Sequence, residues 1–162
     1  MEDKGIPKIN FTVEKYASQA DYEKGQPQEV IEGSNLMLTS GINELLKLAA
    51  NKSSNHFDNT NSRIGVGDDK TTAPDASQTD LQAATNKTYK ALEATYPMDP
   101  SGGAMQFKSV FGEGDANYEW GEFVVKNNTS SICLNRSTNG GAGYGTKASP
   151  AVWTITATIT IS

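Results

Sequence analysis

One cysteine and one histidine occur in 162 residues, and the two scarcities remove several kinds of chemistry together. Cys133 has no second cysteine, so neither an intrachain disulfide nor a cysteine-based metal site is open to it. In the apolar run Ser131-Ile132-Cys133-Leu134 it reads as a small packed residue. His56 stands in a polar stretch beside Phe57, with no cysteine, second histidine or closely spaced set of carboxylates around it. A triad, general-base or metal-ligand role therefore has no second residue to build on, and His56 reads as a loop or subunit-contact residue. Positive charge is also thin: fourteen Lys and Arg face nineteen Asp and Glu, for a net charge of -5, and the basic residues are scattered. Nucleic acid and anionic membrane surfaces both require a concentrated positive field, so neither is expected as a partner. No apolar run reaches the roughly 20 residues of a membrane span. The first residues, Met-Glu-Asp-Lys-Gly-Ile-Pro, lack an apolar signal core, which predicts synthesis in the cytoplasm without a signal peptide.

What is present is turn chemistry and strand periodicity. Fifteen glycines and six prolines punctuate short apolar segments, the pattern of a mainly β chain. The predicted fold is a β-sandwich-like domain over residues 34–162, with one or two short helices and an extended N-terminal arm over residues 1–33. Within the arm, Ile9, Phe11 and Val13 alternate with polar residues, the period of a strand with one buried face. Such a strand needs a sheet, either its own or the edge of a neighbouring subunit. Together with Val30 and Ile31, these three residues are the expected subunit contacts; a disordered tail is the plainer alternative.

Ile42, Leu45, Leu46 and Ala49 recur at helical spacing, so residues 39–50 are predicted to form a core-packing helix capped by Thr39 or Ser40. A short strand is expected at Ile64–Val66, and one or two helical turns after Pro74, where Ser77 and Asp80 stand at capping-box spacing. Further strands are expected at Thr88–Tyr96, Ala104–Phe111, Trp120–Lys126 and Ser131–Asn135, the last two joined by a hairpin at Asn127-Asn128-Thr129. The clearest strand is the last. Trp153, Ile155, Ala157, Ile159 and Ile161 alternate with Thr154, Thr156, Thr158 and Thr160.

Apparent reactive motifs have simpler readings. Asp68, Asp69, Asp75 and Asp80 lack the register of an EF-hand loop. Glu113, Asp115 and Glu119 surround Gly114, where a cation site or a carboxylate pair would need a closeness the sequence does not show. Asn139-Gly140-Gly141-Ala142-Gly143-Tyr144-Gly145-Thr146-Lys147 places Thr146 before Lys147, with a strand following, so it reads as a surface loop and not a phosphate loop. No catalytic residue, metal site or cofactor is expected. Tyr118, Trp120 and Tyr144, close to glycine-rich loops, are the candidate surface contacts, because aromatic faces suit sugar rings.

Several segments follow one another in a set order: Gly33-Ser34-Asn35-Leu36-Met37-Leu38-Thr39-Ser40-Gly41-Ile42, Ile64-Gly65-Val66-Gly67, Thr72-Ala73-Pro74 and Thr79-Asp80-Leu81. Phe111-Gly112-Glu113-Gly114-Asp115-Ala116-Asn117, Trp120-Gly121-Glu122-Phe123, Leu134-Asn135-Arg136 and Trp153-Thr154-Ile155 continue them. Over residues 33–162 this order resembles a module of tailed-phage virion proteins. The resemblance implies a multimeric, non-enzymatic particle component. The specific expectation is a capsid decoration protein on the particle exterior that binds the major capsid protein and copies of itself, as a trimer. The alternative is a tail-tip, fibre or baseplate protein that contacts other tail proteins or a host surface glycan.

Overall fold

The computed structural model of the chain describes residues 7–161. In chain order the elements are β1 (Lys8–Tyr16), α1 (Gln19–Glu23), β2 (Glu29–Met37), α2 (Thr39–Ala49), β3 (Ser62–Gly67), β4 (Lys87–Ala91) and β5 (Ala104–Phe111). They continue with β6 (Glu119–Trp120), β7 (Glu122–Asn127), β8 (Ile132–Cys133), β9 (Asn135–Arg136), β10 (Gly145–Thr146) and β11 (Val152–Thr160). Two antiparallel sheets, in the orders β5-β11-β1-β2-β9 and β4-β3-β7-β8, enclose one principal core, and β6 pairs with β10 beside them. The mainly β, sandwich-like expectation matches this architecture.

The N-terminal strand pairs inside its own domain. β1 runs antiparallel to β11 from Lys8↔Thr160 to Tyr16↔Val152, and its other edge pairs with β2. Ile9 and Val13 are fully buried and Phe11 nearly so, which corrects the expectation of an arm carrying subunit contacts. The physical reason is β11: its inward Ile155, Ala157 and Ile159 supply the apolar partner face that the period-two pattern of β1 requires. Burying side chains of this size stabilises the fold by about 1.5–3 kcal/mol each. Gly33 completes the fit, since a Cβ there would stand 2.8 Å from the Phe11 ring. Of the other proposed arm contacts, Ile31 packs against the core and Val30 is exposed. The part of the expected arm at residues 1–6 lies outside the described residues.

Elsewhere the strands fall close to expectation, with shorter ends. β4 stops at Ala91, five residues before the expected end, and the chain turns so that the Glu93 N–H donates to the Lys108 carbonyl of β5 at 2.9 Å. That bond ties the two sheets along one side. Along the other, residues 134–137 bridge them: Leu38 N–H donates to the Leu134 carbonyl, Leu134 N–H to that of Val125, and Phe123 and Ser137 exchange backbone bonds. β7 and β8 form the predicted hairpin. Thr156, Thr158 and Thr160 stay partly exposed on the outer face of β11, whereas Ile161 is 58% exposed beyond the strand and does not join the buried face.

The helix differs from its predicted face. Gly41 and Glu44 are its buried residues, Ile42, Leu45 and Leu48 pack against the core, and Leu46 is 64% exposed. A Cβ at Gly41 would lie 2.6 Å from Leu134 Cα, so the helix backbone rests directly on the β8–β9 segment and that approach decides which side faces inward. Neither Thr39 nor Ser40 caps by side chain; the Thr39 N–H instead donates to the Ala76 carbonyl at 2.8 Å. The helical turns expected after Pro74 do not form. Asp75 there accepts the Ser77 N–H at 2.8 Å and the Ser77 hydroxyl, holding a local turn. A short helix not foreseen, α1, begins at Ser18, whose Oγ accepts the Asp21 N–H.

Candidate functional site

The long irregular segment between β3 and β4, residues 68–86, lies over β7 and β9 and is held by charged side chains rising from those strands. Glu122 opens β7 and Arg136 ends β9, and both are completely buried, with Nε 2.5 Å from Oε2. The Glu122 carboxylate also accepts the amides of Gln82 at 3.0 Å and Ala83 at 2.7 Å. Arg136 Nη1 donates to the Thr72 carbonyl at 2.8 Å and to Gln78 Oε1 at 3.2 Å, and Nη2 stands 3.7 Å from Asp69 Oδ2. One ion pair therefore fastens both ends of the segment. A paired, multiply bonded charge of this kind is tolerated in an interior because its polar capacity is used locally.

A second pair holds the middle. Asp80 forms a short ion pair with Lys126 and accepts the Tyr89 hydroxyl and Leu81 N–H, each at 2.8 Å. Lys126 also lies over the Tyr89 ring, 4.5 Å from its centroid. Burial would raise the Asp80 pKa, but the bonds from Lys126, Tyr89 and Leu81 outweigh it and hold it below the usual carboxylate value. Asp69 behaves likewise: burial opposes ionisation, and the bonds from Thr72 and Thr71 more than compensate, leaving it lowered. Cys133 is buried beside Asp80, with its thiol pKa pushed up first by burial and then by that carboxylate. A thiol held protonated is a poor nucleophile. These charges serve as structural pegs, with their bonding capacity directed to the segment.

The other acidic group is similarly engaged. Asp115 pairs with Lys90 at 2.6 Å and accepts the Gly112 N–H, Glu119 pairs with Lys70, and buried Lys147 donates to the Gly112 carbonyl and Asn117 Oδ1. Among the described residues, no group of three or more His, Cys, Asp and Glu side chains is placed to hold a metal ion. His56 is exposed, and its carbonyl accepts a bond from Asn127 Nδ2.

The aromatic contacts expected at the surface are corrected by burial. Trp120 is wholly enclosed, donates Nε1–H to the Ala116 carbonyl at 2.9 Å, and packs edge-on to Phe111 and Trp153. Tyr144 is buried against Phe11 with its hydroxyl 2.7 Å from Ser137 Oγ. Tyr118 is half-buried, its hydroxyl 2.9 Å from Thr88 Oγ1. The sandwich brings these rings into one core because β6 places Trp120 on the inner side and Tyr144 packs between Phe11 of β1 and Phe123 of β7.

Two surface features remain. The outer edge of β2 from Glu29 to Asn35 has no ladder partner among the described residues, since β9 pairs only with Leu36 and Met37. Beside it a cleft of ≈ 630 Å³ opens between β2, residues 70–74 and the turn at Gly140–Gly141, bordered by Asn35, Leu36, Pro74 and Arg136. Glu122 and Arg136 lie within the Trp120-Gly121-Glu122-Phe123 and Leu134-Asn135-Arg136 segments and have no role assigned from sequence. The available signal was the position of charged residues inside apolar strand segments, Trp120–Lys126 and Leu134–Arg136. Among the described residues no helix is long and apolar enough to cross a membrane. Comparison with known proteins returns no match, whether to family models, curated proteins or solved structures.

Proposed function

We infer that the chain is a non-enzymatic structural protein of a tailed-phage particle, a capsid decoration protein that attaches to the outer shell through the open edge of β2. The observation carrying this reading is that edge. Glu29–Asn35 form a regular strand with β1 on one side only, and Val30 is 47% exposed on it. An unpaired strand edge offers a row of N–H and C=O groups to an extended segment of another protein. Exposed Glu32 opposes addition of the same strand from a second copy in registers that set the two copies of it opposite each other, while Glu29 is paired with Lys15 at 2.7 Å. The edge thus suits an extended segment of the capsid protein. The ordered motifs of residues 33–162 supply the phage context.

Of the five expected contact residues, Ile9, Phe11 and Val13 are interior, whereas Val30 and Ile31 belong to β2. Deleting residues 1–33 would remove β1 and most of β2 from the larger sheet, so it tests folding more than attachment. The direct test is binding of native protein and a Val30→Asp variant to purified, undecorated capsids of the encoding phage, with bound copies located by cryo-electron microscopy. Native protein should occupy regular capsid sites, and Val30→Asp should bind about tenfold or more weakly, the equivalent of about 1.4 kcal/mol. Native protein found only at tail tips, or a variant that decorates as fully as the native chain, would refute the reading.

A further inference from the structure

β9 pairs with β2 only at Leu36↔Arg136 and Met37↔Asn135, after which the chain turns away and Ser137 pairs with Phe123. The place beside residues 30–35 that a longer β9 would fill is left open. Alternation fixes which backbone groups face it. The Leu38 N–H donates to the Leu134 carbonyl on the β9 side, and in an antiparallel ladder every second residue turns its N–H and C=O to the same neighbour. Ser34, Glu32 and Val30 therefore direct theirs to the open side, while Ile31, Gly33 and Asn35 direct theirs to β1. Each outward residue offers one donor and one acceptor. The side chains of Ser34, Glu32 and Val30 are all exposed, whereas Ile31 packs against the core and Gly33 lies against the Phe11 ring.

Side-chain chemistry along the edge decides what kind of strand fits. Glu29 is matched by Lys15, whereas Glu32 has no ion-pair partner among the described residues. Glu14, the β1 partner of Val30, stands diagonally from Glu32 on the same face and adds to the negative field. A Lys or Arg placed opposite Glu32 is attracted, and an acidic residue is repelled. Val30, 47% exposed, matches a β-branched or aromatic residue, Ser34 matches Thr or Ser, and the inward position opposite Ile31 takes an apolar side chain. Direction follows from β9. It runs antiparallel to β2, so a strand continuing along its line keeps that sense, the more stable of the two pairings. Such a strand begins beside Leu36, where the ≈ 630 Å³ cleft bordered by Leu36, Ala73 and Pro74 leaves room for its leading residue.

We propose that β2 binds, antiparallel, an extended basic-centred segment: Thr or Ser opposite Ser34, an apolar residue, Lys or Arg opposite Glu32, an apolar residue, then a β-branched or aromatic residue opposite Val30. This rests on attachment through the strand edge and specifies the chemistry of the segment that attaches. Isotope-labelled full-length protein is followed by NMR, alone and with the peptide acetyl-Gly-Thr-Val-Lys-Ile-Val-Lys-amide at about 2 mM, where millimolar affinities register. Without peptide, the amides of Val30, Glu32 and Ser34 should exchange quickly and those of Ile31, Gly33 and Asn35 slowly. The peptide should slow the first three and leave the others unchanged. Replacing its central Lys by Glu should weaken binding about fivefold, and Glu32→Lys, at an exposed position, should reverse that preference. Three results would overturn this inference: no β2 amide protected by the peptide, protection without the alternation, or a peptide preference unchanged by Glu32→Lys. The assay contains no capsid, so a failure here is distinct from native protein found only at tail tips, which refutes decoration and leaves the edge chemistry in place.

Discussion

Replacing Arg136 with methionine keeps most of the apolar bulk of the side chain and removes its charge from a site with no exposure. The substitution deletes the bond to Glu122 at 2.5 Å and those to the Thr72 carbonyl and Gln78 at 2.8 and 3.2 Å. It leaves Glu122 buried with only the Gln82 and Ala83 amides as partners. Removing one member of a buried ion pair costs about 3–5 kcal/mol, chiefly because the survivor is an uncompensated charge. For a chain of this size that is a fall in Tm of roughly 6–20 °C. Urea unfolding followed by circular dichroism measures the loss, and hydrogen exchange at the Gln82 and Ala83 amides reports whether the 68–86 segment has come loose. The double variant Glu122→Gln/Arg136→Met should lose less than the two single variants added together, since it removes the stranded charge. A single-variant loss below about 1 kcal/mol, or strict additivity in the double variant, would refute the view that this pair pins the segment.

Gly41→Ala raises helix propensity by about 1 kcal/mol, yet it should destabilise the protein, because the new Cβ would lie 2.6 Å from Leu134 Cα; a rise in the urea midpoint would contradict the packing described for α2. Asp80 has a folded pKa held below its unfolded value of 3.8, so its contribution is complete above that value and is lost as pH falls through the folded pKa. Stability measured by urea midpoint should therefore decline below about pH 4, and the decline should be shallower in Asp80→Asn; equal profiles would discount this carboxylate. Cys133, buried with its thiol pKa raised, should resist a thiol reagent such as dithionitrobenzoate in the native protein and react promptly in urea; rapid native labelling would contradict its enclosure.

Two classes of feature were readable from the chain alone. Alternation in residues 9–13 and 153–161 announced strands with one apolar face, and turn residues marked most strand ends, because side-chain direction in a strand is a purely local, period-two property. The choice of partner was not local. Nothing in Ile9, Phe11 and Val13 indicates whether their sheet lies within the same chain, and it was the matching inner face of β11, some 150 residues away, that made them core. The same holds for the candidate sites. Asp80 looks in sequence like an ordinary surface charge and Tyr144 like a loop aromatic, and although Glu122, Lys126, Arg136 and Trp120 stand in strand segments, nothing local shows what their side chains meet. Only the packing of β7 and β9 beneath the 68–86 segment brings those charges together out of water, where pairing decides stability, and closes the rings inside. Sequence determined which residues were apolar on one side; tertiary structure determined what each side met, because burial and charge pairing are properties of distant neighbours.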